Sequence, residues 1–478
     1  MASTSPIAAD ILPLAAGFPA PDRAAWLALV EKTLKGAPLQ SLTRRTLDGL
    51  PIEALYEAGV SAPQIVRAAA GWDMRSVVRA SDPAAANAEA LADLAQGASS
   101  VLLRLDPSGA DGVAVGSADD LARVLAGVML DVAPVALDAG FLGAKAADWL
   151  GAAAKDAPAA PLSLHLDPLS EFAVTGASPG PIEAHLIAAA TVAARLAEPY
   201  PKASLFLACG LAAHEAGGGE AVELGLAAAS ALAYAKALVR AGLPMAEAFD
   251  RIVLGLAVDA DAFLGLAKLR AARRIWARLA GACGAEAAAR IEARSSGRML
   301  TRAEPWTNMI RLTAAAFAGA IGGADAVALG AFTDALGPPT PFARRQSRNI
   351  QLVLQAEANL GRVIDPAAGS GYVEALTDEL ARAGWASFQA IEAAGGVIEA
   401  LEDGLVAGWA AENRAELAAR LARRELKLLG VTDFPSEELR AAETATASPH
   451  AASAPSPRLP GPDSRCPPLT PIRLEDLA

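Results

Sequence analysis

The sequence has 478 residues, of which 53% are hydrophobic and 5% aromatic, and it carries a formal net charge of −12. A chain of this length can bury a large core, and an acidic chain repels phosphate backbones, so we expect no nucleic-acid partner. Cys209, Cys283 and Cys466 lie far apart without CxxC spacing, which argues against a disulfide framework or a zinc site. The start lacks the features of a signal peptide and no apolar stretch is uninterrupted, so we expect a cytoplasmic chain outside any membrane.

Residues 1–70 precede the main repeat and are predicted to form an N-terminal arm. Residues 24–35 have helical spacing, and residues 46–56 combine a turn at Asp48-Gly49 with an extended segment. Their position outside the repeat sets them apart from the region that follows.

Residues 71–340 alternate short apolar runs with alanine-rich helical stretches, a pattern that implies parallel strands joined by crossovers. Roughly eight such units in ~260 residues are typical of a (β/α)8 TIM barrel, an α/β fold, and a doubly wound open sheet is the alternative. The predicted strands are 72–79, 100–106, 134–140, 161–167, 204–210, 251–259, 289–297 and 326–332. The predicted helices are 83–96, 117–129, 181–196, 219–241, 261–282 and 305–321.

Residues 341–440 are predicted to form a helical extension of the barrel, with helical patterns at 344–360, 372–383 and 412–429. The Gly-rich stretch 365–372 lacks the lysine and second turn glycine of a phosphate loop, so we interpret it as a tight turn before a helix. Residues 441–478 form a Pro/Ala-rich tail. Its part 442–468 is predicted to be a disordered linker, and its apolar end, 472–478, is expected to dock on another surface.

Candidate functional residues lie where predicted strands end, because a barrel builds its chemistry at the carboxyl ends of its strands. His165 lies in one strand run and His214 follows another; the alternative for both is a histidine held by hydrogen bonds in a loop. Arg294, Ser295, Ser296 and Arg298 end the seventh run and are suited to binding a phosphate or carboxylate, or else form an ion-paired loop.

Other charged residues are given structural interpretations. The basic run 268–278 is predicted to be a solvated helix face. His185 falls on a predicted helix and His450 in the tail. No metal site is predicted.

Several segments, in this order and spacing, together resemble the methylmalonyl-CoA mutase family, and the likeness extends over roughly residues 20–435. Each segment alone is a weak signal. They are Thr46-Leu-Asp-Gly49 with Leu55-Tyr56, Gly71-Trp-Asp-Met-Arg75 with Asp82-Pro83, Lys268-Leu-Arg-Ala-Ala-Arg273 with Trp276, Pro341-Phe-Ala-Arg-Arg-Gln-Ser-Arg-Asn-Ile-Gln351, Arg362-Val-Ile-Asp-Pro366, and Gly369-Ser-Gly-Tyr-Val-Glu374.

The resemblance implies a barrel that threads the CoA arm of an acyl-CoA along its axis. It also implies adenosylcobalamin, which supplies the radical for a carbon-skeleton rearrangement and is held by a separate flavodoxin-like domain with an Asp-x-His-x-x-Gly motif. This sequence has no such motif, so no intact cobalamin-binding domain is expected.

The chain also departs from catalytic members of the family at their reactive residues. Where those members read Ser-Gly-Tyr-His-Met-Gln-Glu-Ala-Gly, this chain reads Cys209-Gly-Leu-Ala-Ala-His-Glu-Ala-Gly217. The family's tyrosine and general-acid histidine therefore fall on Leu211 and Ala212, and an alanine methyl cannot donate a proton. The glutamine of their Ser-Gln-Thr-Ser-Gly segment is Arg294 here, and the stretch 324–331 lacks their histidines.

These losses match the small subunits of heterodimeric bacterial mutases, so we expect no catalytic residue in this chain. The resemblance implies a large catalytic partner that binds adenosylcobalamin and interconverts methylmalonyl-CoA and succinyl-CoA. Residues 1–60 are the candidate for wrapping that partner. Residual acyl-CoA binding at Arg294, Ser295, Ser296, Arg298, His165 and His214 stays open.

Three alternatives also stay open. One is an active acyl-CoA mutase barrel whose cobalamin domain is a separate chain, and another is a regulatory scaffold barrel. The third is an unrelated aldolase-like enzyme that uses His165 or His214, which the lack of a lysine placed for a Schiff base weakens.

Overall fold

The computed structural model describes residues 17, 22–57, 67, 71–436, 440–446, 450, 452 and 461–478. They divide into two compact units, Met1–Leu55 and Tyr56–Ala478. In the first unit, helix α1 (Arg23–Leu34) begins where the Asp22 side chain accepts a hydrogen bond from the amide of Ala25. A short hairpin follows, in which β1 (Arg44–Arg45) pairs antiparallel with β2 (Pro51–Ile52). The predicted helix and the turn at Asp48-Gly49 are confirmed, with Gly49 in the left-handed region at φ 76°.

The second unit is built on a closed barrel of parallel strands. The strands up to the end of the barrel are β3 (Asp73–Val78), β4 (Ser100–Arg104), β5 (Val135–Asp138), β6 (Ser163–Leu166), β7 (Ala177–Pro179), β8 (Ser204–Cys209), β9 (Ile252–Val258), β10 (Ile291–Ser295) and β11 (Ala326–Leu329). Eight of them form the barrel, in the order β10-β11-β3-β4-β5-β6-β8-β9. The predicted TIM barrel and all eight of its strands are therefore confirmed. Strands β8 and β9 are buried at every position, as expected for parallel strands that are covered on both faces.

Helices surround the barrel, and the six helices that the sequence predicts there are confirmed. The helix predicted at 117–129 ends five residues earlier than expected, at Val124. The helices up to the last barrel strand are α2 (Pro83–Ala95), α3 (Ala118–Val124), α4 (Gly143–Ala153), α5 (Pro168–Thr175), α6 (Ile182–Ala197), α7 (Leu211–Glu215), α8 (Glu220–Arg240), α9 (Met245–Asp250), α10 (Ala262–Ala282) and α11 (Asn308–Ile321). Helix α8 is long and apolar enough to cross a membrane, but 78% of its most apolar window is buried inside the protein.

Helix α4 was not predicted, because its glycines weaken the helical signal. Gly151 has a packing role there: a Cβ at this position would lie 2.9 Å from Leu196 Cδ2 on α6. The glycine therefore allows the two helices to approach closely.

The helical extension comprises α12 (Pro341–Leu352), α13 (Gly371–Ala393), α14 (Val397–Glu402) and α15 (Leu405–Ala422). The stretch 365–372 is a turn that leads into α13, as predicted. Helix α13 packs on α8 and α10. The predicted solvated face at 268–278 is wrong, because Lys268 and Arg270 are buried beneath this extension. Arg270 forms ion pairs with Asp365 and Glu374, which neutralise its charge there.

The contact between α8 and α13 depends on glycines. A Cβ on Gly225 would lie 2.5 Å from Ser387 Cβ, and one on Gly384 would lie 2.7 Å from Leu224 Cβ. We expect Gly225→Ala to lower the free energy of unfolding by about 1–3 kcal/mol, because the helices must separate. Gly281→Ala on α10 is the control: a Cβ there meets nothing within 4 Å, so stability should stay equal or rise by up to ~1 kcal/mol. Denaturant unfolding measures the free energy of unfolding of both variants. Equal changes for Gly225→Ala and Gly281→Ala would contradict the close packing of α8 on α13.

The described part of the tail is folded, so the prediction of a disordered linker is wrong for residues 461–468. Strand β12 (Pro462–Arg465) pairs antiparallel with β7. The amides of Cys466 and Leu469 donate to the carbonyls of Gly176 and Ala173, and both side chains are buried. Most of the predicted linker, including residues 447–449 and 453–460, lies outside the described residues.

The apolar chain end docks on the barrel of its own chain. The amide of Ile472 donates to the carbonyl of Glu215, and the amide of Leu474 donates to that of Arg298. We call residues 466–478 the C-terminal strap, because they cross the carboxyl end of the barrel.

Candidate functional site

A cavity of about 360 Å³ opens at the carboxyl ends of the barrel strands. Its wall includes the residues that end or follow the strands, such as Asp138, Asp167, Cys209 and Gly330. Pro471 and Arg473 of the C-terminal strap close one side of it. This is the end of the barrel where such folds place their ligands.

The structure brings only some of the predicted site residues to this cavity. His165, Arg294 and Ser295 line it. Ser295 is already used within the fold, since its Oγ accepts a hydrogen bond from the amide of Gly330 at 2.8 Å. The other three predicted residues lie in a separate buried cluster: His214, Ser296 and Arg298.

Leu211 and Ala212, which stand at the positions of the family's tyrosine and histidine, also line the cavity. Leu211 packs against the apolar group formed by Leu207, Cys209 and Val253. This side of the cavity therefore offers hydrocarbon surface, with no side chain at either position that can transfer a proton.

A layer of charged side chains crosses the barrel axis beneath the cavity. The guanidinium of Arg75 pairs with Glu292 and lies 2.8 Å from Asp73. Arg294 Nε donates to Glu292 at 2.6 Å, and its Nη1 donates to Asp138 at 3.1 Å. We call Arg75, Glu292, Arg294 and His165 the axial layer.

We call the cavity at the carboxyl ends of the strands the upper cavity. The axial layer separates it from a second cavity, the lower cavity, which has a volume of about 180 Å³ and lies at the amino ends of the strands. The lower cavity is lined by residues that begin strands, among them Asp73, Ser163 and Ser204. His165 lines both cavities, so its ring lies between them. The axis is therefore filled with ion-paired side chains at mid-barrel.

The layer holds its charges by mutual pairing. Burial alone would raise the pKa of Glu292, but Arg294, His165 and Arg75 hold that pKa well below its usual range. Glu292 in turn helps to raise the pKa of Arg294 against the opposing effect of burial. Removing one of these groups would leave a buried charge without a partner, which is costly.

His165 sits in this layer as a neutral imidazole. It adopts a left-handed backbone, φ 45°, where the register between β6 and β8 shifts. Burial lowers the pKa of His165 to about 4, although the nearby Glu292 carboxylate opposes this effect. Neither ring nitrogen has a hydrogen-bond partner among the described residues.

His214 belongs to a different network, and its predicted position in a loop is wrong, because it lies on the short helix α7. Its Nδ1 lies 3.4 Å from Glu223 Oε2, and its Nε2 lies 3.1 Å from Ser296 Oγ. Lys268 Nζ donates to the same Glu223 oxygen at 2.5 Å. Arg298 Nη1 donates to the carbonyls of His214 and Gly218, each at 3.0 Å. These groups form a buried network outside the cavity lining.

Asp167 is a candidate that sequence reasoning missed. It lines the cavity, where it accepts a hydrogen bond from the Tyr234 hydroxyl and one of 3.2 Å from the amide of Ser170. Burial raises the pKa of Asp167 to about 7, against the lowering effect of the Tyr234 bond. The only sequence signal was its place at the end of a strand run, in His-Leu-Asp-Pro.

The raised pKa of Asp167 predicts a pH effect on stability. A carboxyl whose folded pKa is raised stabilises the fold fully below its unfolded pKa, and this contribution is lost as the pH rises through its folded pKa. Asp167→Asn should therefore flatten the decline in unfolding free energy between about pH 4 and pH 7. Asp111→Asn, at an exposed carboxyl, is the control and should keep the wild-type slope. Identical slopes for wild type and Asp167→Asn would contradict the assignment.

The described residues do not fit a corrin or metal site. Among them, no group of three or more His, Cys, Asp or Glu side chains is arranged to hold a metal ion. His165 is enclosed in the axial layer and His214 in its ion-paired cluster. His185 lies 2.6 Å from the carbonyl of Pro179. His450 lies at an exposed position 3.9 Å from Asp82. None of these four histidines stands on a flavodoxin-like sheet.

The fold and the site define an α/β-barrel protein with a ligand-sized cavity at the carboxyl ends of its strands and a closed axis. The methylmalonyl-CoA mutase family model matches residues 29–456. The chain belongs to the methylmalonyl-CoA mutase family, as its sequence segments indicated.

Several similar proteins are named as small subunits. The chain is 41% identical over 455 residues to the methylmalonyl-CoA mutase small subunit of Streptomyces virginiae, which covers 89% of this chain and 72% of that protein. It is 34% identical over 477 residues to the small subunit of Propionibacterium freudenreichii subsp. shermanii, with coverage of 93% and 73%. A probable small subunit of Mycobacterium bovis is 38% identical over 427 residues, with coverage of 84% and 67%.

Proposed function

We propose that this chain is the non-catalytic small subunit of a heterodimeric, adenosylcobalamin-dependent methylmalonyl-CoA mutase. It stabilises a large subunit that interconverts methylmalonyl-CoA and succinyl-CoA. The observation that carries the proposal is the pair Leu211 and Ala212, which line the cavity where catalytic members of the family have tyrosine and histidine. The names of the similar proteins support a larger partner.

The protonation chemistry of the cavity supports a non-catalytic role. Ala212 has no proton to donate, and His165 is neutral with a pKa of about 4. A general acid works best when its pKa lies near the working pH. Asp167 comes nearer to that condition, but its carboxyl is held by the Tyr234 hydroxyl.

The closed axis supports the same conclusion. An acyl-CoA threaded along the barrel must pass the level of Arg75, Glu292 and Arg294, whose guanidinium and carboxylate groups pair there. Opening that path would separate buried ion pairs, and breaking one such pair typically costs ~3–5 kcal/mol. Of the six residues considered for acyl-CoA binding, Arg294 and Arg298 form ion pairs, Ser295 and Ser296 are hydrogen-bonded within the fold, and His165 and His214 are buried. We therefore place the acyl-CoA in the large subunit.

Adenosylcobalamin, which supplies radical chemistry when bound, is assigned to the large subunit as well. The histidines of this chain are engaged in the barrel, in a helix contact or in the tail, and the sequence lacks the Asp-x-His-x-x-Gly motif. Residues 1–60 remain the candidate arm for wrapping the partner, and a truncation that removes them should weaken the heterodimer. The compartment proposed is the cytoplasm, in keeping with three free cysteines.

Native mass measurement of the complex recovered through a tag on this chain, from its own host, tests the proposal. One larger chain that carries cobalamin, in equal amount, is the expected result. Recovery of this chain alone, as a monomer or homodimer, would contradict the subunit assignment. Recovery with a small separate cobalamin protein would favour the active-barrel alternative instead.

A further inference from the structure

The strand order divides the rim of the upper cavity into four sides. The ends of β5 and β6 lie opposite the ends of β10, β11 and β3 in the closed barrel. Strand β4 lies between these two groups on one side, and β8 and β9 lie between them on the other. Charged side chains are distributed unevenly among these sides.

Carboxyl groups collect at the ends of β5 and β6. Asp138 ends β5, Asp167 follows β6, and Glu171 lies on α5; all three line the cavity. Asp138 is paired with Arg294 across the axis, and Asp167 is bonded to Tyr234. Glu171 has no ion-pair partner among the described residues. Burial and then Asp138 raise the pKa of Glu171, against the lowering effect of the Arg104 guanidinium, which is itself paired with Asp111.

Arginines lie on the opposite side. Arg79 follows β3 and is paired with Asp334. Arg473 of the C-terminal strap donates to the carbonyls of Gly297 and Asp334, at 3.1 and 3.4 Å. Arg473 forms no ion pair among the described residues. The nearby Asp334 carboxylate, whose pKa Arg473 helps to lower against the effect of burial, is paired with Arg79. Its guanidinium lines the cavity.

The two sides between these poles are mainly apolar, apart from Arg104 on one and Glu215 on the other. The Glu215 carboxylate accepts hydrogen bonds from the amides of Gly297 and Arg298. Leu102 of β4 belongs to one hydrophobic group, with Ala136 and Ala328. Leu207 and Leu211 belong to the other. The one arginine of β4, Arg104, is paired with Asp111 at 2.7 Å.

The floor of the cavity has unsatisfied polar atoms. His165, which is 4% exposed, has two ring nitrogens without hydrogen-bond partners, and Arg294 Nη2 also lacks one among the described residues. Buried polar groups are nearly always hydrogen-bonded in folded proteins, so these atoms point to an occupant of the cavity.

We propose that the cavity at the carboxyl end of the barrel binds a small zwitterion, an amino acid whose ammonium and carboxylate groups are separated by a short methylene chain. The ammonium lies toward Glu171 and Asp138, and the carboxylate lies toward Arg473. The methylene chain packs on Leu207 and Leu211. Because the axial layer closes the path below, the ligand is a short free acid and not a thioester with a long arm. The site is independent of catalysis in the partner.

Isothermal titration of the purified full chain tests this with three probes of matched length: 5-aminopentanoate, pentanoate and pentylamine. Saturable binding of 5-aminopentanoate, with at least tenfold weaker binding of the two singly charged probes, is expected. A change to 2-aminopentanoate, which keeps both charges but places them on adjacent carbons, should weaken binding by a similar factor. No binding of any zwitterion, or equal binding of pentanoate, would overturn the proposal.

Variants locate the site. Glu171→Gln and Arg473→Gln should each reduce affinity for 5-aminopentanoate at least tenfold, and Arg473→Lys should retain part of it. Arg302→Gln is the control: it removes ion pairs to Glu475 and Asp476 of the strap outside the cavity lining, so affinity should be unchanged. Equal loss with Arg302→Gln and Arg473→Gln would assign the effect to strap docking and reject the charged contact. Titration with an acyl-CoA distinguishes the residual-thioester alternative, because binding of that probe alone would reject the zwitterion.

Discussion

Replacing Lys268 by methionine should lower the free energy of unfolding by about 3–5 kcal/mol, since it leaves a buried carboxylate without its partner. Lys268 Nζ lies 2.5 Å from Glu223 Oε2, and the two side chains are 2% and 0% exposed. Methionine has a similar length and fills the same space, so packing is largely kept and the charge is lost. Urea unfolding monitored by circular dichroism measures the difference.

The matched control is Lys236→Met on the neighbouring helix α8. Lys236 pairs with Glu392 at 3.4 Å, but these side chains are 51% and 29% exposed. An exposed pair contributes only ~0–1 kcal/mol, so this variant should unfold almost as the wild type does. Equal losses for the two variants, or no loss for Lys268→Met, would show that burial does not set the strength of the pair.

The same pair predicts a pH dependence. Burial would raise the pKa of Glu223, but Lys268 and His214 hold that pKa at about 2, below its ordinary value of 4.5. A carboxylate with a depressed folded pKa stabilises the fold above its unfolded pKa, and the contribution is lost as the pH falls through its folded pKa. The wild type should therefore lose stability between about pH 4.5 and pH 2, and Lys268→Met should lose less over that range.

In the proposed heterodimer, we expect the large subunit to carry the Ser-Gly-Tyr-His segment of catalytic family members. Replacing the histidine of that segment by alanine should lower turnover by ~10²–10⁴-fold, the usual contribution of a general acid. The corresponding position of this chain is Ala212. Ala212→Leu, at a position that lines the upper cavity, should leave turnover unchanged. Initial rates of succinyl-CoA formation at saturating adenosylcobalamin measure both variants.

This comparison separates a structural barrel from a catalytic one. A large loss of turnover with Ala212→Leu, in a complex of unchanged mass and melting temperature, would mean that the cavity of this chain takes part in the reaction. Thermal unfolding of the complex is the necessary control, because a destabilised interface would lower turnover indirectly.

The barrel was predictable because its strands are short apolar runs separated by amphipathic stretches, a pattern that local sequence records directly. Helix α4 was missed because Gly143 and Gly151 lower its helical propensity, and the close packing against Leu196 that explains Gly151 is a tertiary property. Residues 461–468 were mistaken for part of a linker because their composition is that of a disordered segment, while their order comes from main-chain pairing of β12 with β7.

The candidate site was only partly predictable. His165, Arg294 and Ser295 were found from their places at strand ends, and they do line the cavity. The same rule selected His214, Ser296 and Arg298, which instead belong to a buried network with Glu223 and Asp259. Burial of Lys268 could not be predicted, because the carboxylate that neutralises it lies 45 residues away on another helix. Glu171 and Arg473 are far apart in the sequence, and only the fold brings them to the same cavity.

Assaying this chain by itself and with the proposed large subunit, in the presence of adenosylcobalamin and methylmalonyl-CoA, tests the non-catalytic role most directly. We expect the isolated chain to retain no cobalamin spectrum and to form no succinyl-CoA, and we expect turnover to appear when the large subunit is added. Turnover by this chain alone, or with only a separate cobalamin-binding protein, would contradict a non-catalytic role.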